Sequence, residues 1–458
     1  MVDRPVRGKW LTDWDPEDED AWHRDGHRVA RRNLVLSVLS EHVGFSVWTL
    51  WSVLVLFMSP EIGFDFTAGE KFLLVATPTI VGALLRLPYS YAVTRFGGRN
   101  WTVFATAILL VPALLALWLI QRPGSPLWAF LLVAAVAGVG GGNFASSMTN
   151  ITAFYPQRHQ GWALGLNAGG GNLGVAAVQL VGLAVISTVG DAHPSYVAAV
   201  YLPLIVVVAL LAAWRMDNVA AVRTPPGAQR EAVAVRDTWW ISLLYIGTFG
   251  SFIGYGFAFG LVLRYEFDAT AVEAVGYTFL GPLLGSFSRP LGGLLADRLG
   301  GARVTLWNFL GMGAGTGVLL LASGIGSFAL FVAGFTALFV LSGVGNGSTY
   351  KMIPAVFAKQ AEAEVTGGRD AVDAFARARR LSGAVIAIAG AIGALGGAAI
   401  NLAFLAAYAD GSGSGVPAFL AFLGYYVLCV LVIRGVYLRR AAPQTRSSGS
   451  GTREASRV

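Results

Sequence analysis

The sequence predicts an all-α integral membrane protein of twelve transmembrane helices, arranged as two six-helix halves. Three observations carry that prediction. The chain is 55% hydrophobic and only 13% charged, about half the charged share of an ordinary soluble domain. Its 458 residues include 58 glycines and 13 tryptophans, with a mean hydropathy of +0.61, the profile of a polytopic helical membrane protein. The first half of the chain also repeats in the second at one offset. A soluble enzyme, a disulfide scaffold and a disordered chain are excluded. Cys429 is the single cysteine, so no intrachain disulfide or cysteine metal site is expected. The net charge of +7 needs no nucleic-acid partner, because membrane orientation accounts for it.

Residues 1–32 are polar and of mixed charge, and form a cytoplasmic N-terminal segment rather than a cleavable signal. A helix needs about 20 apolar residues to cross a hydrocarbon core of about 30 Å. Six such runs fill the N-terminal half, 33–214: 33–58, 71–94, 101–121, 127–154, 161–189 and 195–214. A linker over 215–237 carries Pro225-Pro226 and four arginines. Six more runs make the C-terminal half, 238–438: 238–263, 271–296, 303–323, 326–357, 381–408 and 416–438. The tail, 439–458, is rich in Ser, Gly and Arg, and its end from Thr445 reads as disordered. Of the Lys and Arg residues in the terminal segments, the loops or at span edges, twenty-six lie in the N-terminal segment, around the loops after even-numbered spans, and in the tail. Three (Lys71, Arg122 and Arg264) lie on the other side. That asymmetry places both termini in the cytoplasm.

The repeat has an offset of 203 residues. Arg86-Leu-Pro-Tyr through Arg95-Phe-Gly97-Gly98 returns as Arg289-Pro-Leu-Gly through Arg298-Leu-Gly300-Gly301, and Asn143 maps onto Asn346 and Phe154 onto Phe357. Two parallel six-helix repeats with a midplane site between them are the layout of a rocking carrier.

Four basic residues lie inside spans: Arg86, Arg289, Lys351 and Arg434. Arg434 is within a turn of a span end and can snorkel. Arg86 and Arg289 each stand nine residues from a loop arginine, roughly 13 Å along a helix, so both sit near the midplane on symmetry-related helices. A central arginine costs about 2.5–3.5 kcal/mol or more to insert, and Glu41 is the single acid well inside a span. The pair therefore reads as an anion site, for which the planar, permanently charged, forked guanidinium is suited. Around it, spans 4, 5, 10 and 11 are rich in glycine, which lets helices pass closely. The amides of Asn143, Asn172 and Asn346 either face the cavity or bond between helices. Tyr245 and Phe249 share a helix face, which fits core packing or a binding surface. Lys351 and Glu41-His42 fit a gate or an interhelical ion pair.

Gly-Gly-Gly-Asn-Phe-Ala-Ser-Ser-Met-Thr-Asn-Ile-Thr-Ala-Phe-Tyr-Pro (140–156), its continuation 160–174, the Gly-rich run of span 11, Tyr245–Gly254 and Gly345–Thr349 resemble the signatures of the nitrate/nitrite porter family of the major facilitator superfamily. The second-half loop Gly292–Arg303 is similar to the superfamily's cytoplasmic loop motif. Asp13–Asp18 resembles the NarK-type branch. The resemblance covers nearly the whole chain, and implies the major facilitator fold in the cytoplasmic membrane. It implies that Arg86 and Arg289 bind substrate, that Phe144, Asn172, Tyr245 and Phe249 line the site, and that Phe45 lines it too. Asn143, Asn346, Ser348 and Lys351 would be lining or gating residues, and Gly169 and Gly171 would let span 5 approach its neighbour. In the first loop motif Tyr89 stands where the second copy has Gly292, and Thr94 where it has Asp297, which departs from the superfamily pattern.

The expected partners are nitrate, nitrite and the lipid bilayer, with the carrier a monomer and no cofactor. Two unpaired guanidiniums resist occlusion when empty and close more readily around an anion, so a carrier that returns only when loaded, an exchanger, is expected. Proton-coupled symport is the alternative, with Glu41, His42 and Lys351 as its titratable groups; a carrier for another small anion is a further one. A membrane enzyme is not expected, since no metal cluster, nucleophile–base pair or cofactor motif occurs. Nor is a sensor, since the terminal segments are short.

Overall fold

The computed structural model describes residues 10–220, 227–409 and 413–439. Pro225-Pro226 of the linker, residues 1–9 and the tail from 440 onward lie outside the described residues. Helices occupy all twelve predicted positions. Spans 1–6 are Glu19–Phe57, Ala68–Phe96, Gly98–Leu119, Leu127–Phe154, Gln157–Val189 and Ser195–Arg215. Spans 7 and 9–12 are Arg236–Phe267, Gly301–Gly324, Phe328–Thr366, Ala371–Ala409 and Val416–Leu438. Among the described residues these eleven are long and apolar enough to cross a membrane. Span 8 is helical in two pieces, Ala271–Thr278 and Leu280–Leu299, and carries Arg289, Asp297 and Arg298. Its joint at Phe279 lies where Pro282, lacking an N–H, cannot bond the Thr278 carbonyl.

Spans 1, 10 and 11 run well past their apolar stretches. Hydropathy ends at the first charges, but backbone hydrogen bonding continues into water. Span 7 carries a π-helical turn over Ile246–Gly250, a local widening often found at functional positions.

The repeat is visible as matched backbone chemistry. Span 2 opens on a capping box: Glu70 N–H donates to Thr67 Oγ1 at 3.2 Å, and Thr67 N–H donates to Glu70 Oε2 at 2.8 Å. Span 8 opens on Thr270 and Glu273 with the same two bonds at the same distances, 203 residues later. Each box satisfies two helix-end donors. Spans 2 and 8 also end alike, at Gly97 (φ +88°) and Gly300 (φ +87°), a left-handed turn natural only to glycine. Small residues set the helix crossings. A Cβ on Gly140 would lie 2.2 Å from the Gly44 carbonyl oxygen, and one on Gly343 2.1 Å from that of Gly285.

Large apolar side chains such as Trp128, Trp214, Trp307 and Leu431 are exposed on the outside of the bundle, as lipid-facing positions require. On the side of the described chain ends, Trp10–Leu11 (β1) pairs in parallel with Asn218–Val219 (β2), tying the N-terminal segment to the linker. A short linker helix, Ala228–Ala234, follows.

Candidate functional site

A cavity of about 1360 Å³ lies between the halves. Its mouth is lined by Gln157, Arg158, Arg379 and Arg380, from the ends of spans 5 and 11, and its inner end by Arg86, Phe144, Arg289 and Gly390. Cross-half contacts close the opposite side. Gln179 Nε2 donates to the Gly256 carbonyl at 2.8 Å, Arg264 donates to the Leu56 carbonyl, and Phe72 stacks face to face on Tyr408 at 5.4 Å. The cavity thus opens toward the side of the described chain ends.

At its inner end the two midplane arginines meet around one ring. Arg86 is fully buried; its Cζ lies 4.5 Å from the Phe144 centroid, 4.8 Å from Phe249 and 5.7 Å from Trp48. Arg289 Cζ lies 5.9 Å from the same Phe144 ring and 5.7 Å from Tyr350. Ring faces are worth roughly 0.5–2 kcal/mol each to a desolvated cation, so the aromatics partly replace lost water. Hydrogen bonds do less. Arg86 Nη1 donates to the Gly390 carbonyl at 2.9 Å, and Arg289 Nη2 to Tyr245 Oη at 3.2 Å. Arg86 Nε and Nη2 and Arg289 Nη1 have no protein partner. Free forked donors beside two like charges describe a site that an oxyanion would satisfy.

The structure brings together most of the residues named from sequence. Tyr245 stacks on Phe249 at 5.2 Å with 9° between planes, and both rings are buried beside the arginines without lining the cavity. Phe249 tilts against Phe144 at 5.8 Å, and Phe45 backs Phe144 at 6.2 Å. Asn143 and Asn346 are buried with no hydrogen-bond partner for either amide atom, and Asn143 packs on Gly44 of span 1. Asn172 is likewise buried and unpartnered in span 5, and it does not line the cavity. Ser348 turns to span 9, sharing a 2.8 Å hydrogen bond with Thr305. Gly169 faces Ser286 of the other half, 4.0 Å from a built Cβ, whereas Gly171 packs on Glu41.

Lys351 lies in the helix of span 10, as expected. Its ammonium is partly exposed at the cavity wall and pairs with Asp297 Oδ2 at 2.9 Å, linking spans 8 and 10. Glu41 and His42 part company. His42 Nδ1 contacts the Gly170 carbonyl at 3.2 Å, while Glu41 Oε2 accepts from Asn167 Nδ2 at 2.7 Å and from Ser147 Oγ. Sequence reasoning did not single out Tyr350, Trp48, Ser147 or Asn167. The 203-residue offset links two of them, pairing Ser147 with Tyr350.

The profile described as Major Facilitator Superfamily matches residues 42–400. The Nitrate/nitrite transporter NarU of Escherichia coli (strain K12) is 40% identical over 95% of this chain and 97% of its own length. The Probable nitrate/nitrite antiporter NarK2 of Thermus thermophilus is 34% identical over 81% of this chain and 88% of its own. Among solved structures, the partially occluded, inward open xylose transporter XylE from E. coli superposes with a TM-score of 0.64 at 14% identity, over 92% of this chain and 100% of that one. At that identity the likeness concerns the fold alone.

Proposed function

The chain belongs to the major facilitator superfamily and, within it, to the nitrate/nitrite transporters, and we propose that it exchanges nitrate for nitrite across the cytoplasmic membrane with the anion held between Arg86 and Arg289. The observation that carries this reading is the pair of buried guanidiniums, contributed by equivalent helices of the two halves, with three nitrogens lacking a protein partner at the inner end of one cavity. A planar monovalent oxyanion there accepts hydrogen bonds from both halves at once, with the rings of Phe144, Phe249 and Tyr245 alongside. With both termini cytoplasmic, as the arginine distribution predicts, the cavity faces the cytoplasm. Rocking of the halves about the site then exposes it to the other side.

Exchange follows from charge. The empty site carries two positive groups in a dry setting, so closing over it costs more than closing over a bound anion. Nitrate entering against nitrite leaving moves no net charge. Purified protein in liposomes preloaded with nitrite, nitrate or neither, given labelled nitrate outside with pH and potential clamped, tests this. Uptake confined to anion-loaded vesicles, with no accumulation driven by a pH gradient, is expected. Equal uptake into empty vesicles on acidifying the outside would replace exchange by proton symport, a second reading favoured by the buried carboxylate of Glu41.

A further inference from the structure

Glu41 is a carboxylate that the anion site as described does not use. It is fully buried in span 1. One oxygen accepts from Asn167 and Ser147, while the other, Oε1, has no partner. A Cβ on Gly171 would lie 2.2 Å from that free oxygen, so span 5 keeps glycine where the acid needs room. Asn167 Nδ2 also bonds Ser147 Oγ at 2.7 Å and touches Met148 Sδ at 3.6 Å. Met148 and Phe144 are part of the cavity wall, which puts the carboxylate one side-chain layer behind the anion site.

The groups facing it differ sharply in charge. Spans 4 and 5 present only neutral Ser147 and Asn167. His42, next along span 1, is turned to the Gly170 carbonyl. Phe45, one turn along span 1 from Glu41, stacks on the Phe144 ring at 6.2 Å, and Arg86 from span 2 and Arg289 from span 8 lie 4.5 and 5.9 Å from that same ring, with Tyr350 of span 10 5.7 Å from Arg289. With the anion site empty, two guanidiniums support a negative carboxylate. An anion between them cancels much of that support and leaves two negative groups in one dry region, which a low-dielectric interior does not tolerate.

We infer that Glu41 is a proton-binding site coupled to the anion site: the carboxylate takes up one proton from the aqueous cavity when an anion binds between Arg86 and Arg289, and returns it when the anion leaves. This rests on the two-arginine reading of the anion site. Coupling of this kind is reciprocal, so nitrate affinity falls by up to ~10-fold per pH unit on the alkaline side of the transition. In an exchange cycle the proton rides both ways and cancels.

The test adds nitrate, or gluconate as control, to purified full-length protein in weakly buffered solution with a pH indicator, alongside calorimetric nitrate binding from pH 5 to 9. The wild type is expected to take up close to one proton per bound nitrate at its optimum, and Glu41→Gln to bind nitrate with no uptake and a flat pH profile. No uptake by the wild type at any pH, or the same uptake by Glu41→Gln, would overturn the inference. Nitrate binding unchanged in Arg86→Ala and Arg289→Ala would instead overturn the anion-site reading. Should Glu41→Gln not fold, Ser147→Ala and Asn167→Ala each remove a donor to the ionised carboxylate and are expected to move the uptake to higher pH; an unmoved midpoint in both counts against Glu41.

Discussion

The two halves share a repeat, a capping box and a midplane arginine, yet each is fastened differently. In the C-terminal half, Asp297 of the loop motif pairs with Lys351, and the linker helix is anchored through Glu231, which accepts from Arg377 Nε at 2.6 Å and Arg380 Nη2 at 3.1 Å. In the N-terminal half the equivalent of Asp297 is Thr94, which bonds only the Tyr91 carbonyl of its own helix. There the fastening comes from outside the repeat. Asn218 Oδ1 accepts from Arg99 N–H at 2.9 Å, Arg99 Nη2 donates to the Ala213 carbonyl at 2.6 Å, and Trp14 Nε1 to the Ala153 carbonyl at 3.0 Å. Tyr89, in place of the motif's glycine, fills the groove beside Gly142 and meets Trp101 edge-on. The C-terminal half thus keeps an ion pair within its loop motif, whereas the N-terminal half is fastened through the N-terminal segment and linker, including the ion pairs Arg158–Glu19 and Arg32–Asp217. The duplicated core tolerated this divergence because the latch lies at the helix ends and the arginines do not.

The arginines differ as well. Arg86 bonds across the halves, to Gly390 of span 11, whereas Arg289 bonds Tyr245 within its own half. On the proposed rocking mechanism the first bond would have to break, whereas the second could be carried intact.

The sharpest way to break this comparison is at the arginines. Arg86→Ala and Arg289→Ala are each expected to cut labelled nitrate uptake by on the order of 100-fold, the loss of two charge-assisted hydrogen bonds at about 1.5 kcal/mol or more each. Arg86→Lys should also slow the turnover of bound substrate, whereas Arg289→Lys should act mainly on KM; identical KM and kcat effects would erase the asymmetry. Next in size, Tyr245→Phe removes the hydroxyl that holds Arg289 and is expected to weaken nitrate binding about 5-fold, near 1 kcal/mol, measured by calorimetry.

Lys351→Ala and Asp297→Asn break a partly exposed pair worth ~1 kcal/mol or less. They should shift the balance of cavity-open and cavity-closed forms a few-fold, read by thiol labelling of a cysteine placed at Gly165, while Thr94→Val leaves it unmoved. The smallest effect concerns the linker helix. The hydrogen bond from Arg377 holds the Glu231 carboxyl below its ordinary value of 4.5. Its contribution is fully present above that unfolded value and is lost as pH falls through the lower folded one. Glu231→Gln should thus lower the Tm at pH 7 by a degree or two and leave it unchanged at the acid end.

Much of the molecule was legible in the order of residues. Apolar run length located twelve helices, because a bilayer demands about 20 apolar residues whatever their partners. The 203-residue offset paired Arg86 with Arg289, since duplicated helices keep their register. What failed to show was where side chains end. Lys351 counts as intramembrane by position, yet its long stem carries the ammonium to Asp297 at the cavity wall. Ser348 and Asn346 are two residues apart in one motif, yet Ser348 bonds Thr305 while neither amide atom of Asn346 has a hydrogen-bond partner.

The sequence by itself determined that this chain spans a membrane twelve times as two copies of one unit, with charge stranded at the same place in each. Hydrophobic length and duplication are properties of the chain alone. The tertiary structure decided that both guanidiniums meet at Phe144 and that the cavity opens on the side of the described chain ends. Those facts depend on how the two halves are rotated against each other, and no local pattern encodes that angle.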